Sequence, residues 1–280
     1  MIYSIFDILS RTYIKNAFIV GVMMSLAGAL LGVSLVLKKH SMIGDGLSHV
    51  GFGSVALAAC IGIAPLAFAI PLVIVSSFFI IWLSNKSKIF GDSAIALFST
   101  LALAIGYAAI EMGEGVNFNV SSYLYGSLLG VTRLEVILSI IIAILVIVTY
   151  IFLYNRIFSI TFDETFSKST GMHTNIINII LSILISLTIV IGMKVMGALL
   201  ITALIIFPTL SSRQIFKTFK GVTIFSVISS VLCFIIGLLL ACSISNLPIG
   251  SSIVFVNFIY CIVCFIIGKI IRVKELKAEA

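Results

Sequence analysis

Nine apolar stretches, at 17–37, 47–63, 65–84, 94–112, 134–154, 174–192, 196–209, 222–241 and 250–270, follow one another with only short polar breaks. A helix needs ~20 mostly apolar residues to cross a bilayer. Helices and closed barrels alone satisfy their backbone in hydrocarbon. The pattern therefore predicts an all-α polytopic membrane helix bundle of about nine transmembrane helices. The seventh run is short and follows the sixth through Gly192-Met193-Lys194, so eight crossings is the alternative. Hydrophobic residues make up 61% of the 280 and charged ones 10%, which excludes a free soluble globule and a disordered chain. One transmembrane domain covers 1–280, with no linker and no internal repeat. Its first 16 residues, with Ile2, Ile5, Phe6 and Leu9, read as an amphipathic interfacial segment.

The net charge of +7 belongs to loops rather than to nucleic-acid binding, because Lys and Arg concentrate on the cytoplasmic side of membrane proteins. Placing the 155–173 loop inside puts 13 of the 17 basic residues in cytoplasmic segments, and the C-terminus with them. Nine crossings then put the N-terminus outside, against the pull of Arg11 and Lys15. The expected location is the bacterial cytoplasmic membrane. Of the five cysteines, Cys261 and Cys264 form a C-x-x-C pair, but they lie within an apolar run. They read as small hydrophobes.

A polar group in a membrane span is a functional candidate by default. Most of the ten acids fall in loops, tails or helix ends; the exception is Asp45, four residues before His49 in Ser41-Met-Ile-Gly-Asp-Gly-Leu-Ser-His49. On a helix the two share a face one turn apart. A carboxylate and an imidazole so placed suit Zn(II), Mn(II) or Fe(II). The alternative is that Asp45 caps the second helix while His49 is a packed core residue.

Two further stretches stand out. Phe162-Asp-Glu-Thr-Phe-Ser-Lys-Ser-Thr-Gly171 is the most polar predicted cytoplasmic element. Asp163 and Glu164 favour a helix start and Gly171 a stop. Phe162 and Phe166 on one side would suit a partner's groove; a solvated loop is the plainer reading. On the outer side, Asn117–Gly130 is polar and aromatic, preceded by Glu111 and Glu114. Its Tyr123 and Tyr125 read as interfacial belt residues. The chain has no G-x-x-x-x-G-K-[ST], H-E-x-x-H or G-x-S-x-G, so any ATP driving transport must be bound by another chain.

Together these stretches resemble the membrane permeases of ATP-binding-cassette importers for zinc, manganese and iron. Five blocks carry the resemblance in order: Leu35–His49, Ser122–Gly126, Phe162–Gly171, Met196–Pro208 and Leu247–Gly250. It spans about residues 17–270. It implies a cobalamin-importer-like permease architecture and two permease copies around one path. It also implies a cytoplasmic ATP-binding-cassette ATPase and an extracytoplasmic metal-binding protein as partners. Asp45 and His49 map to the aspartate and histidine associated with metal passage. Phe162, Asp163, Glu164, Phe166 and Gly171 fall in the segment that couples to the ATPase, where Ser167 and Ser169 replace the alanines of many relatives. The wording Ser41–Gly53 is closer to zinc-importer permeases than to manganese ones. The expectation is a permease that is not itself an enzyme and holds no permanent cofactor, with zinc (or manganese or iron) as cargo. Two Asp and two His from a dimer would suffice for tetrahedral Zn(II). Rival readings are a secondary transporter using Asp45 as an ion relay and a structural membrane protein with no cargo.

Overall fold

The computed structural model describes residues 12–86, 91–113, 123, 125–244 and 247–279. These form α1 (Thr12–Leu37), α2 (Ile43–Ile61), α3 (Pro65–Lys86), α4 (Gly91–Met112), α5 (Arg133–Phe152), α6 (Tyr154–Phe162), α7 (Glu164–Ser169), α8 (Thr174–Met196), α9 (Ala198–Ile215), α10 (Phe219–Ser243) and α11 (Ile249–Glu279). A 3-10 turn covers Leu128–Gly130. No strand occurs among the described residues, so the all-helical expectation holds.

Eight of the described helices are long and apolar enough to cross a membrane. The sequence placed the eight-or-nine ambiguity at the sixth and seventh runs. The structure places it at α2, which is not among the eight. Gly192-Met193-Lys194 is not a break, because α8 continues to Met196 and only Gly197, at φ +91°, separates it from α9. α2 has 19 residues, about 28 Å of helix at 1.5 Å per residue. Asp45, His49 and Gly44, Gly46, Gly51 and Gly53 dilute its hydropathy. It needs little, because α2 packs against α3, α4, α8 and α9 rather than against lipid. The glycines allow this closeness: a Cβ on Gly53 would collide with the Ala102 carbonyl of α4. Small residues at such contacts let membrane helices approach backbone to backbone.

The spans α1, α8 and α9 are the most buried, whereas α3, α4 and α11 keep most of their surface outside the bundle. Large apolar side chains such as Val75, Phe79, Leu97, Ile137, Ile151 and Phe255 stand exposed on this periphery, where lipid would cover them. Buried hydroxyls bond mostly to carbonyls four residues back, as Ser25 does to Gly21 at 2.6 Å. A few cross between helices: Ser230 Oγ donates to the Ser25 carbonyl at 3.1 Å. This satisfies most buried hydroxyls within the bundle, whereas Thr188 Oγ1 and Asn257 Oδ1 are buried with no hydrogen-bond partner among the described residues.

At the edges, residues 12–16 of the expected interfacial segment form the start of α1, and 1–11 lie outside the described residues. The expected loop 155–173 holds two helices, α6 and α7, with Phe162 ending the first. Half of Asn117–Gly130 (117–122 and 124) and the whole of 87–90 also lie outside the described residues.

Candidate functional site

α2 carries the metal candidates. It begins at Ile43, earlier than its apolar run, so Asp45 sits inside the first turn rather than at the cap. The cap residue is Met42, which makes no side-chain cap bond. The capping role for Asp45 is thereby excluded. Its carboxylate turns instead to His49: Asp45 Oδ2 lies 3.5 Å from His49 Nε2. Of residues 43–56, Asp45 and His49 are the two that are not buried; their side chains keep 44% and 24% exposure. Exposed Met42 lies just before them. Every other side of this part of α2 is covered. His49 Nδ1 is buried and meets no hydrogen-bond partner among the described residues. One ring nitrogen faces the carboxylate and the other is unsatisfied, a costly arrangement for a histidine with only a packing role. Among the described residues, no three His, Cys, Asp or Glu side chains gather as a metal site. One chain thus offers two donors here.

The segment expected to couple begins and ends as its residues predict. Asp163 is the N-cap of α7, its Oδ1 accepting from the Phe166 N–H at 2.8 Å. α7 closes with Met172 N–H on the Ser167 carbonyl and Gly171 N–H on that of Lys168, both 3.1 Å. This closure needs a left-handed residue, and Gly171 supplies it at φ +80°. Phe162 and Phe166 are 62% and 63% exposed, so both present apolar surface. Their settings differ. The Phe162 ring packs on Phe158 and Phe219, with centroids 5.0 and 6.1 Å away, while Phe166 stands on α7 itself.

Glu164 is tied inward. Its Oε1 accepts from Lys168 Nζ at 2.9 Å and from Asn178 Nδ2 at 3.3 Å, and its Oε2 lies 3.9 Å from Lys38 Nζ. Lys38 Nζ also donates to Asn178 Oδ1 at 3.0 Å. Burial by itself would raise the Glu164 pKa; Lys168, Lys38 and Asn178 outweigh it and hold the carboxyl below its usual value. Burial pushes the Lys38 ammonium below the lysine range, with Glu164 pulling the other way. His40 is also lowered, by burial and then by Lys38. Lys38 and Asn178 were not singled out in the sequence. They lie 140 positions apart, and Lys38 read only as one of many cytoplasmic charges.

The opposite end of the bundle has its own pair, Lys194 Nζ to Glu135 Oε1 at 2.8 Å, beside a capping box in which Thr132 and Glu135 satisfy each other. Lys38, Glu164 and Lys168 therefore share one end of the molecule, and Arg133 and Lys194 mark the other, as the charge distribution requires.

The described residues thus form a multi-pass helical bundle with an enclosed helix bearing Asp45 and His49 and a short capped helix at one end. The pattern of the ABC 3 transport family matches residues 10–268, and the chain belongs to that family, as a membrane permease of the ATP-binding-cassette type. The high-affinity zinc uptake system membrane protein ZnuB of Haemophilus influenzae is 28% identical over 80% of this chain and 86% of its own length. The manganese import system permease ScaB of Streptococcus gordonii is 28% identical over 95% of each. The solved structure of PsaBC from Streptococcus pneumoniae in complex with Fab has a chain that superposes with a TM-score of 0.81 at 24% identity. That match covers 93% of this chain and 94% of that one, and it supports the fold.

Proposed function

We propose that this permease moves zinc into the cytoplasm, with Asp45 and His49 as metal-contacting residues of the path. The observation that carries the reading is the pair itself: the two unburied residues of an otherwise enclosed stretch of α2, with their donor atoms 3.5 Å apart. A tetrahedral zinc ion with ligands at about 2.0–2.2 Å holds neighbouring donors roughly 3.3–3.5 Å apart. The pair thus needs little rearrangement to share a cation. The open strip of α2 suits a second copy of this chain, which would bring a second Asp and His and complete four ligands. A cargo site must also release its ion, and two donors per chain allow this when the copies separate. A cytoplasmic ATPase docking at 162–171 would supply the energy, and an extracytoplasmic binding protein the metal.

Relatives are named for zinc and for manganese transport alike, so the test must discriminate cargo. Isotopic zinc and manganese uptake is compared in cells carrying the whole transporter, with and without His49→Ala. Zinc uptake at limiting concentration is expected to resist a manganese excess and to disappear in the variant. Manganese displacing zinc at equal concentration would transfer the reading to manganese. Parental zinc uptake by His49→Ala would remove His49 from the path.

A further inference from the structure

Backbone hydrogen bonds close the turn between α1 and α2 at both ends. His40 N–H bonds the Leu35 carbonyl at 2.9 Å and Lys39 N–H that of Val36 at 3.1 Å, which seals the end of α1. Ile43 N–H then bonds the His40 carbonyl at 3.1 Å and Gly46 N–H that of Met42 at 3.0 Å, which starts α2. The N–H groups of Ser41 and Met42 lie between these two sets of bonds, so a short turn bonded at both ends joins Lys38 to the first turn of α2, where Asp45 sits.

Lys38 is held from the other side by α7 and α8. Its side chain is only 18% exposed and its ammonium meets Asn178 and Glu164. Ser34, Lys38, His40, Ile43, Glu164 and Asn178 border one small cavity of about 60 Å³. At 3.9 Å, with side chains 18% and 28% exposed, Lys38 and Glu164 form a partly buried ion pair. Parting it would cost the pairing of both charges, so this contact ties α7 to the 38–42 turn.

We infer that Lys38, clamped between Glu164 and Asn178, is the positioning residue through which α7 sets the place of the α2 turn bearing Asp45 and His49. Displacement of α7 by the ATPase would then be passed through a direct contact to the metal-contacting helix, without travelling along the long spans. This rests on the reading of Asp45 and His49 as the path and of 162–171 as the dock.

The test uses the complete transporter, permease with its ATPase and binding protein, in proteoliposomes, and reads zinc imported per ATP hydrolysed. Lys38→Met should lower that ratio about two- to thirtyfold, the span of effect that residues lying between coupled sites show. Assembly with the ATPase and zinc-independent ATP hydrolysis should stay at the parental level. Lys38→Arg, which keeps the charge, should restore most of the ratio. The double variant Lys38→Met/Glu164→Gln should be no worse than the poorer single one, because both remove the same contact. A parental ratio in Lys38→Met, or losses that multiply in the double variant, would overturn the inference. Should Lys38→Met fail to assemble, Glu164→Gln removes the α7 side of the same contact: a lowered ratio is expected, and a parental ratio would overturn the inference. Asp45→Asn separates the levels: normal import by that variant defeats the metal-path reading, whereas failed import with a parental ratio in Lys38→Met defeats this inference alone.

Discussion

Lys39 has the one positive φ, +62°, among described residues other than glycine. It closes α1 in the same way that Gly171 closes α7, but with a side chain that disfavours the left-handed region. That conformation costs an ordinary L residue ~1–2 kcal/mol, part of which a glycine would give back through its freer unfolded chain. Lys39 is exposed, so its side chain contributes little packing. Lys39→Gly should stabilise the permease by about 0.5–1 kcal/mol, read as a higher thermal midpoint in detergent. A lower midpoint would mean that the lysine side chain holds the turn. Residue-scale chemistry was legible where partners are close in sequence. Asp45 and His49 stand at helical spacing, and Asp163 and Gly171 bracket a helix by their own cap preferences. The Lys38–Asn178–Glu164 contact was not legible, since no local period links residues brought together only by packing.

At the scale of elements, the apolar runs marked the positions of the long helices, but the hydropathy that found them misjudged two. α9 runs Ala198–Ile215, past Pro208, because a proline within a buried membrane helix can be accommodated by its neighbours. α6 was read as loop because its nine residues carry Asn155 and Arg156, although Ile157 and Ile160 are buried. The split between α6 and α7 separates the two phenylalanines by role. Phe162 belongs to the permease's own ring cluster with Phe158 and Phe219, so its replacement would disturb the permease as well as any dock. Phe166→Asp is the cleaner probe. An aspartate set into an apolar groove costs several kcal/mol unless paired. The variant should insert normally yet lose most ATPase on co-purification, with import falling in proportion. Full retention of the ATPase and of import would show that the dock lies elsewhere.

Across the whole molecule, the charges sort the helix ends. Lys38, Glu164 and Lys168 gather at one end, and Glu135 and Lys194 pair at the other. Between them α2 threads a polar strip through an apolar bundle, flanked by α3, α4, α8 and α9. On the proposed reading a cation would meet Asp45 and His49 within a low-dielectric surround, where its attraction to a carboxylate is much stronger than in water. The same surround makes loss of the carboxylate charge decisive. Asp45→Asn preserves size and leaves the helix start intact, since the structure gives Asp45 no capping role. The most direct test of the account is zinc uptake by the assembled transporter carrying Asp45→Asn, at limiting zinc, with permease level and ATPase association measured alongside. The account predicts that uptake disappears while assembly is unchanged; uptake at the parental rate would contradict it.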